Sequence, residues 1–282
     1  MYEKNQIIKE KVQNVRLISE IISDHITYRK QIFKLAKADL IKTYRGSALG
    51  WAWALVKPVV TRFVFWFAFS LGLKRGGPVT GYPFFLWLIA GFVPWFYMSD
   101  MITSGAGCIR SHKYLVTKLK FPVTVIPTFT SLSKIVVNIM LQCVVVILFI
   151  VFGFMPDIYY LQIPLYLLMM FIWFTIWGLF AGTLSAISKD FLNLVKSLST
   201  AIFWMSGIIY DVNKIDNHWI RCILNYNPVT IVANGYRHSF IDKTWFFEDM
   251  YGMRCYLIVT VITAVLAVWA YRKLYRDIPD VL

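Results

Sequence analysis

The sequence predicts an all-α membrane protein that crosses the bilayer several times, and three observations support this fold class. Of its 282 residues, 58% are hydrophobic and only 16% are charged, with a mean hydropathy of +0.59. Soluble domains carry about 25% charged residues. Several apolar runs approach or exceed the ~20 residues that a helix needs to cross the hydrocarbon core. The basic residues concentrate at the ends of these runs.

The first 50 residues predict a region of amphipathic helices on the membrane surface. Apolar residues recur at intervals of three and four from Ile8 to Ile22, among lysines and glutamates. A second helix is predicted from Tyr28 to Tyr44. Its apolar side consists of Ile32, Phe33, Ala36, Leu40 and Tyr44. Helices of this kind lie in the headgroup plane, although a solvated helix packed on a partner protein would show the same pattern.

The segment from Asp39 to Val60 predicts a surface helix that turns into the bilayer. It reads DLIKTYRGSALGWAWALVKPVV. The Gly46–Gly50 stretch suits a turn, and the two tryptophans that follow suit an interface belt. We therefore expect a first membrane span to begin near Trp53, after a surface region comprising residues 1–50, and a transmembrane domain to fill 51–282.

Six spans are predicted from the apolar runs, which places both termini on one side. The runs lie at Trp53–Leu73, Tyr82–Met101, within Val123–Phe154, within Ile158–Ser188, at Phe191–Tyr210 and at Cys255–Tyr271. Most of the 29 lysines and arginines fall on the side of the termini. By the positive-inside rule, both termini are cytoplasmic. This distribution also accounts for the net charge of +14 without a nucleic-acid partner.

Two connections between spans stand out. Residues 108–122, CIRSHKYLVTKLKFP, are basic and suit a short cytoplasmic helix. Residues 211–254 are long, aromatic and mildly polar, and predict two external helices separated by Pro228. Such helices lie at the outer interface or dip into it, which is allowed only where protein covers the backbone.

Motifs of catalysis and nucleotide binding are missing from the sequence. It contains no GxxxxGK[ST], HExxH, GxSxG or DxD pattern. Its histidines are scattered and its four cysteines lack metal-ligand spacing, so we expect no catalytic residues, metal or cofactor in this chain. A disulfide between Cys222 and Cys255 stays open. The Gly178–Gly182 pair predicts close packing between membrane helices.

Arg62 is the charge for which two interpretations remain open. If the first span ends near Gly72, this arginine lies about 15 Å below that end, where a charge should face a cavity or a partner. In the first interpretation, Arg62 lines a path for an anionic substrate. In the second, its side chain extends to the membrane interface or pairs with a neighbouring helix. Lys134 raises the same question. The aromatic candidates for such a path are Phe63, Trp66, Phe69 and Trp204.

These features together resemble the type 2 ABC export permeases that move lipid-linked cell-surface polysaccharides. YRGSALGWAWALVKPVV resembles their entry to the first span, and NYNPVTIVANGYRHSFI their external Asn-Pro and Tyr-Arg segment. The short loop SKDF has Lys189 where the family usually has arginine. The positions that carry the resemblance are Tyr44, Arg45, Gly46, Gly50, Pro58, Asn227, Pro228, Tyr236 and Arg237. Residues 69–96 and the YRD tail are most similar to the wall teichoic acid branch, beside the O-antigen and capsule exporters.

The resemblance implies a transport subunit, not an enzyme. A homodimer in the bacterial cytoplasmic membrane would bind a separate ATPase subunit, which holds ATP and Mg²⁺. The N-terminal amphipathic helix would gate entry of the undecaprenyl-diphosphate-linked polymer, and the helices within 211–254 would cap its exit. The ATPase would dock on a coupling helix, for which the candidate residues are Ser111, His112, Lys113, Tyr114, Leu115 and Lys118.

Two other function classes fit the sequence less well. A membrane transferase acting on lipid-linked sugars would need a catalytic acid or histidine with metal ligands, and the sequence has no such cluster. A drug or haem permease of the same fold usually lacks the external helix pair and the Tyr-Arg-Gly-Ser joint. Export of a lipid-linked polysaccharide is therefore the favoured prediction, with contact to membrane lipid throughout.

Overall fold

The computed structural model describes residues 18–45, 50–53, 56, 60, 63–64, 67 and 79–282. Within this part of the chain the regular structure is helical, apart from one isolated antiparallel bridge between Val79 and Tyr82. We number the helices α1 to α11: Arg29–Tyr44, Phe84–Asp100, Ala106–Ser111, Lys113–Thr117, Ile126–Val151, Ile163–Ile187, Lys189–Trp204, His218–Asn225, Pro228–Arg237, Met250–Leu274 and Ile278–Val281. A π-helical turn, Met101–Gly105, joins α2 to α3.

Four helical segments of the described chain are long and apolar enough to cross a membrane. They are Phe84–Thr117, Val123–Val151, Ile158–Ile187 and Met250–Leu274. These segments confirm the predicted spans that begin near residues 82, 123, 158 and 255, although the first continues past residue 101 as helix.

The other two predicted spans have different outcomes. Helix α7 coincides with the fifth predicted span but has only 16 residues, which is about 24 Å of helix. The first predicted span, Trp53–Leu73, lies mostly outside the described residues. The total of six spans therefore stays a prediction, while the all-α polytopic class is confirmed.

Small residues let α6 pack closely against the π-turn and α3. A Cβ atom on Gly178 would lie 3.8 Å from the Cα of Gly105, and one on Gly182 would lie 3.3 Å from the Gly105 carbonyl oxygen. The predicted packing role of Gly178 and Gly182 is thus confirmed. The 3.2 Å approach to the Cys108 sulfur shows the same tight contact one turn further along.

The bundle has two ends with different contents. One end, which we call the terminal face, brings α1, α4, α11 and the start of α5 around a buried cluster that includes Ile32, Ile109, Phe129 and Ile278. The opposite end, the distal face, carries α8, α9 and the loop before α10. Here Gln162 donates a 2.8 Å hydrogen bond to the Thr244 carbonyl and accepts one of 2.9 Å from the Phe246 amide.

The N-terminal helices pack against the start of α5 and expose an apolar stripe. Residues 18–27 are helical, and Ile18, Ile22 and Ile26 are about half exposed. Phe33, predicted on the same apolar side as Ile32, is 66% exposed, whereas Ile32 is buried. Some apolar side chains of these helices are thus buried in the protein, and others face outward. A helix exposing this stripe beside membrane spans fits the headgroup plane better than open water.

The two distal helices match the predicted pair, with Pro228 as the first residue of the second. They differ in depth. Helix α8 buries only Leu224, while Trp219 is 76% exposed. Helix α9 is buried along nearly its whole length against α2, α6 and α10. The interfacial position expected for α8 stays a prediction that its exposure suits, whereas α9 is part of the helical core.

Candidate functional site

A carboxylate on α1 joins the surface helix to two other elements of the terminal face. Asp39 Oδ2 accepts a 2.6 Å hydrogen bond from the Ser133 hydroxyl on α5, and Oδ1 lies 3.6 Å from His112 Nε2. Burial raises the pKa of the Asp39 carboxyl, but the hydrogen bonds from His112 and Ser133 outweigh burial and leave its pKa below the usual value. The Asp39 carboxylate that accepts from Ser133 is therefore present at neutral pH, and it is lost as the pH falls through this lowered pKa.

A second pair of polar contacts holds the helical stretch 18–27 that precedes α1. Thr124 donates a 3.0 Å hydrogen bond to Asp24 Oδ2. His25 donates from Nδ1 to the Ile21 carbonyl, which leaves its Nε2 at 2.7 Å from the Thr128 hydroxyl. Asp24 and His25 thus face the start of α5, while Ile18, Ile22 and Ile26 of the same helical stretch stay about half exposed.

The predicted coupling segment forms a short, mostly exposed helix at the terminal face. Val116 is buried in the cluster below and fixes α4 in place, while Tyr114 is 63% exposed. The remaining candidates divide between exposed Ser111, Lys113 and Lys118 and half-buried His112 and Leu115. His112 donates from Nδ1 to the Cys108 carbonyl at 2.9 Å, and its ring contacts Phe129 edge-on. It therefore connects the exposed segment to Asp39.

Lys134 pairs with a neighbouring helix. Its Nζ lies 3.8 Å from Asp100 Oδ2, at the end of α2 where the π-turn begins. An intramembrane charge is expected to find such a partner.

Arg237 is a buried cation of the distal face, and its partners come from two other segments. The guanidinium donates to the carbonyls of Gly207, at 2.6 Å, and of Ile208, and lies 3.6 Å from the centre of the Trp87 ring. A Cβ atom on Gly91 would meet it at 2.7 Å, so only glycine leaves this space on α2. Arg237 thus fastens α9 to α2 and to the turn after α7.

The other Asn-Pro and Tyr-Arg positions also shape α9. Asn227 caps the helix by accepting from the Val229 amide at 3.0 Å, and donates to the Ser206 hydroxyl at 2.8 Å. Pro228 occupies the first turn, where its missing N–H costs nothing. Tyr236 is fully buried and packs near Tyr166 and Phe240. The external motif therefore builds and anchors one helix.

Several predicted positions lie outside the described residues: Gly46, Pro58, Arg62, Trp66 and Phe69. Of the residues predicted to line the substrate path, Phe63 and Trp204 lie in the described part of the chain, and they are 58% and 52% exposed. Both interpretations of Arg62 stay predictions. In the entry joint, Tyr44 ends α1, Arg45 is exposed in the turn, and Gly50 has a positive φ of 48° with open space around it. Residues 46–49 lie outside the described part of the chain, so the turn expected between Gly46 and Gly50 stays a prediction.

Sequence reasoning missed Asp24, His25 and Asp39. The sequence did contain a signal for Asp39. This residue follows Ile32 and Ala36 at intervals of seven and three, which places a charged residue on the apolar face of the helix. The partners on α5 gave no local signal, because serine and threonine are common in membrane helices. In the described part of the chain no three histidine, cysteine or acidic side chains form a metal-binding group. All four cysteines are free thiols, so Cys222 and Cys255 form no disulfide.

Comparison with known proteins identifies the family. The ABC-2 type transporter family matches residues 30–241. An O-antigen export system permease protein RfbA from Myxococcus xanthus is 24% identical over 229 residues, which cover 81% of this chain and 85% of the relative. Two proteins of the same name from Klebsiella pneumoniae are 23% and 22% identical over 215 residues, or 76% of this chain and 81% of each relative. Because the family match spans most of the chain, this integral membrane protein belongs to the ABC-2 type transporter family.

Proposed function

We propose that the chain is the transmembrane subunit of an ATP-driven exporter that moves a polysaccharide linked to undecaprenyl diphosphate across the bacterial cytoplasmic membrane. The relatives named as O-antigen permeases support this proposal, since they align over about four fifths of the chain. The chain itself has no P-loop sequence, so a separate ATPase subunit supplies ATP hydrolysis with Mg²⁺. An O-antigen-type glycan fits these relatives better than the teichoic acid that residues 69–96 favour.

The observation that carries the proposal is the contact between Asp39 and His112. It joins the exposed segment, where an ATPase would dock, to the surface helix, which would meet the lipid headgroup. A movement of α4 would therefore pass to α1 through the contact between these two side chains, without a rearrangement of the whole helical bundle. The basic residues of this face also suit a diphosphate headgroup, because a group of positive charges attracts an anionic ligand. In this arrangement the terminal face is cytoplasmic and a second copy of the chain completes the pore.

Docking of the ATPase on α4 is tested by co-purification. A separate ATPase subunit from the same cells should co-purify with the wild-type permease. Tyr114→Ala combined with Lys118→Ala should weaken its retention strongly, because Tyr114 is exposed on α4 and Lys118 is exposed directly after it. Tyr226→Ala combined with Lys214→Ala, on the distal face, provides the matched control. Failure of the wild type to bind any ATPase would remove the proposal.

A double-mutant cycle tests whether Asp39 and His112 act together. Asp39→Asn and His112→Gln should each lower export of cell-surface polysaccharide per ATP hydrolysed, and the double variant should lower it no further. Contacting residues show interaction energies of about 0.5–3 kcal/mol in such cycles. Asp280→Asn, an exposed acid near the C-terminus, should leave the ratio unchanged. Additive effects of the two substitutions would contradict a shared role.

A further inference from the structure

The distal face contains a polar cavity that the proposed transport mechanism does not use. It lies between α8, α9 and the start of α10 and has a volume of about 270 Å³. The side chains that line it are mostly amides, carboxylates and hydroxyls, contributed by Asn213, Asn225, Asn234, Thr244, Glu248, Asp249 and Tyr251, with His238 beside them. Sites for drug-sized ligands occupy roughly 300–1,000 Å³ and are mostly apolar. This cavity is smaller and far more polar.

Three of these side chains are each fixed by a hydrogen bond to one of their polar atoms. Glu248 Oε2 accepts from the Trp245 amide, and Asp249 Oδ1 from the Gly252 amide, each at 3.0 Å. Asn234 Oδ1 accepts from Arg237 at 3.3 Å. Each of these side chains has a second polar atom that these bonds leave available. Preorganised groups of this kind lose little entropy when they bind a ligand.

Two further lining residues point to a missing partner. His238 Nδ1 and Thr244 Oγ1 are buried, and neither has a hydrogen-bond partner among the described residues. Buried polar atoms are nearly always paired in folded proteins. Neither atom is open to the cavity, so a ligand that carries several hydroxyl groups pairs with them only when the His238 or Thr244 side chain rotates toward it.

The charges in the cavity select the ligand class. Glu248 and Asp249 are carboxylates, and no lysine or arginine is among the residues that line the cavity. Lys243 is held by Asp157 at 2.6 Å, and the guanidinium of Arg237 is turned to backbone carbonyls and the Trp87 ring. A phosphate or a uronic acid would meet two like charges, which disfavours it. Amides and carboxylates are good partners for the hydroxyls of an uncharged sugar.

We propose that this cavity is a subsite for one neutral, hydroxyl-rich sugar ring of the exported glycan as it leaves the distal face. The inference rests on the proposed export function and narrows it to a glycan with uncharged sugars. The lipid-linked diphosphate would remain at the basic terminal face.

The test is saturation-transfer NMR on the complex of permease and ATPase in nanodiscs. The probes are methyl glycosides of glucose, galactose, mannose and rhamnose, with glycerol 3-phosphate as the anionic comparison. At least one glycoside should receive saturation and glycerol 3-phosphate should not. Polysaccharide purified from the cell surface should compete with the glycoside, which distinguishes the cargo from an unrelated sugar.

The matched variants use conservative changes. Glu248→Gln with Asn225→Leu should weaken glycoside binding about tenfold, because a charge-assisted bond and an amide pair are lost. Asp216→Asn with Asn193→Leu makes the same changes at exposed positions outside the cavity and should have no effect. No saturation in the wild type, equal saturation in both double variants, equal binding of glycerol 3-phosphate, or no competition by the polysaccharide would each overturn the subsite.

The proposed function is judged separately, by deleting the gene and measuring cell-surface polysaccharide. Loss of the surface polymer with an unchanged NMR signal in the variants would overturn the subsite and leave the exporter standing. Normal surface polymer after deletion would overturn the export function itself.

Discussion

The two helices of the distal face follow each other in sequence, yet one is buried and the other is exposed. Helix α8 exposes Trp219 and Ile223 by 76% and 67%, whereas the side chains of Val232 and Tyr236 on α9 are at most 1% exposed. Both begin with an asparagine that caps the helix. Capping and amphipathicity therefore do not set the depth of these helices.

The difference lies in how each helix satisfies its polar groups. Helix α9 carries Arg237 at its C-terminal end, and this side chain reaches the Gly207 and Ile208 carbonyls and the Trp87 ring. Gly91 and Gly235 make the space that lets α9 approach α2 and α6. Helix α8 has no such anchor among its described contacts; Arg221 reaches only the Asn213 carbonyl, at 3.5 Å. A buried anchor and two small residues distinguish a core helix from a surface helix.

Removal of the buried anchor should have the largest effect. Arg237→Met leaves two buried carbonyls without their donor, at about 1–3 kcal/mol each, and removes a cation–π contact worth up to about 2 kcal/mol. We expect a strong fall in melting temperature, measured by fluorescence-detected size-exclusion of detergent-purified protein. Arg221→Met on α8 is the control and should change stability by less than about 0.5 kcal/mol. Equal effects of the two substitutions would refute the proposed difference between the helices.

A methyl group at the tightest glycine should have the next largest effect. In Gly235→Ala the new Cβ would lie 2.1 Å from the ring of Tyr166, which is buried on α6. Overpacking of this kind costs about 1–3 kcal/mol. The control is Gly107→Ala on α3, where the Cβ meets Leu192 at an ordinary 3.7 Å and helix propensity favours alanine by about 1 kcal/mol. The same thermal assay compares them. Similar losses at both positions would mean that α9 does not approach α6 so closely.

Two substitutions within α8 should also differ in their effect on stability, by less than the pairs above. Leu224→Ser removes the buried residue of this helix and should cost about 1–3 kcal/mol. Trp219→Ser changes an exposed side chain and should change the stability of detergent-purified protein by less than about 0.5 kcal/mol. Thermal unfolding of both variants in the same detergent checks the order. A larger loss for Trp219→Ser would show that α8 packs against something other than lipid or water.

Most of the helical architecture is predictable from hydrophobic runs. The spans near residues 84, 123, 158 and 250 follow from their length and apolar character, and the close packing at Gly178 and Gly182 follows from the glycine spacing. Pro228 correctly marks the division of the distal helices. These features depend on local sequence, so no knowledge of the other helices is needed.

The sites depend on partners that are distant in sequence. Asp39 meets Ser133 and His112, which lie 94 and 73 positions away, and Arg237 meets Trp87 and the Gly207 carbonyl. A single sequence shows that such side chains need partners but does not identify them. The depth of α9 was missed for the same reason, since its burial depends on the space at Gly91.

Transport in a purified system tests the central claim most directly. The permease and its ATPase would be reconstituted in liposomes that contain undecaprenyl-diphosphate-linked polysaccharide, and the glycan reaching the opposite leaflet would be detected with a lectin. We predict ATP-dependent appearance of the glycan that requires both subunits and decreases with Tyr114→Ala and Lys118→Ala. Glycan transfer without ATP, or ATP hydrolysis by the assembled complex with no glycan transfer, would contradict the account.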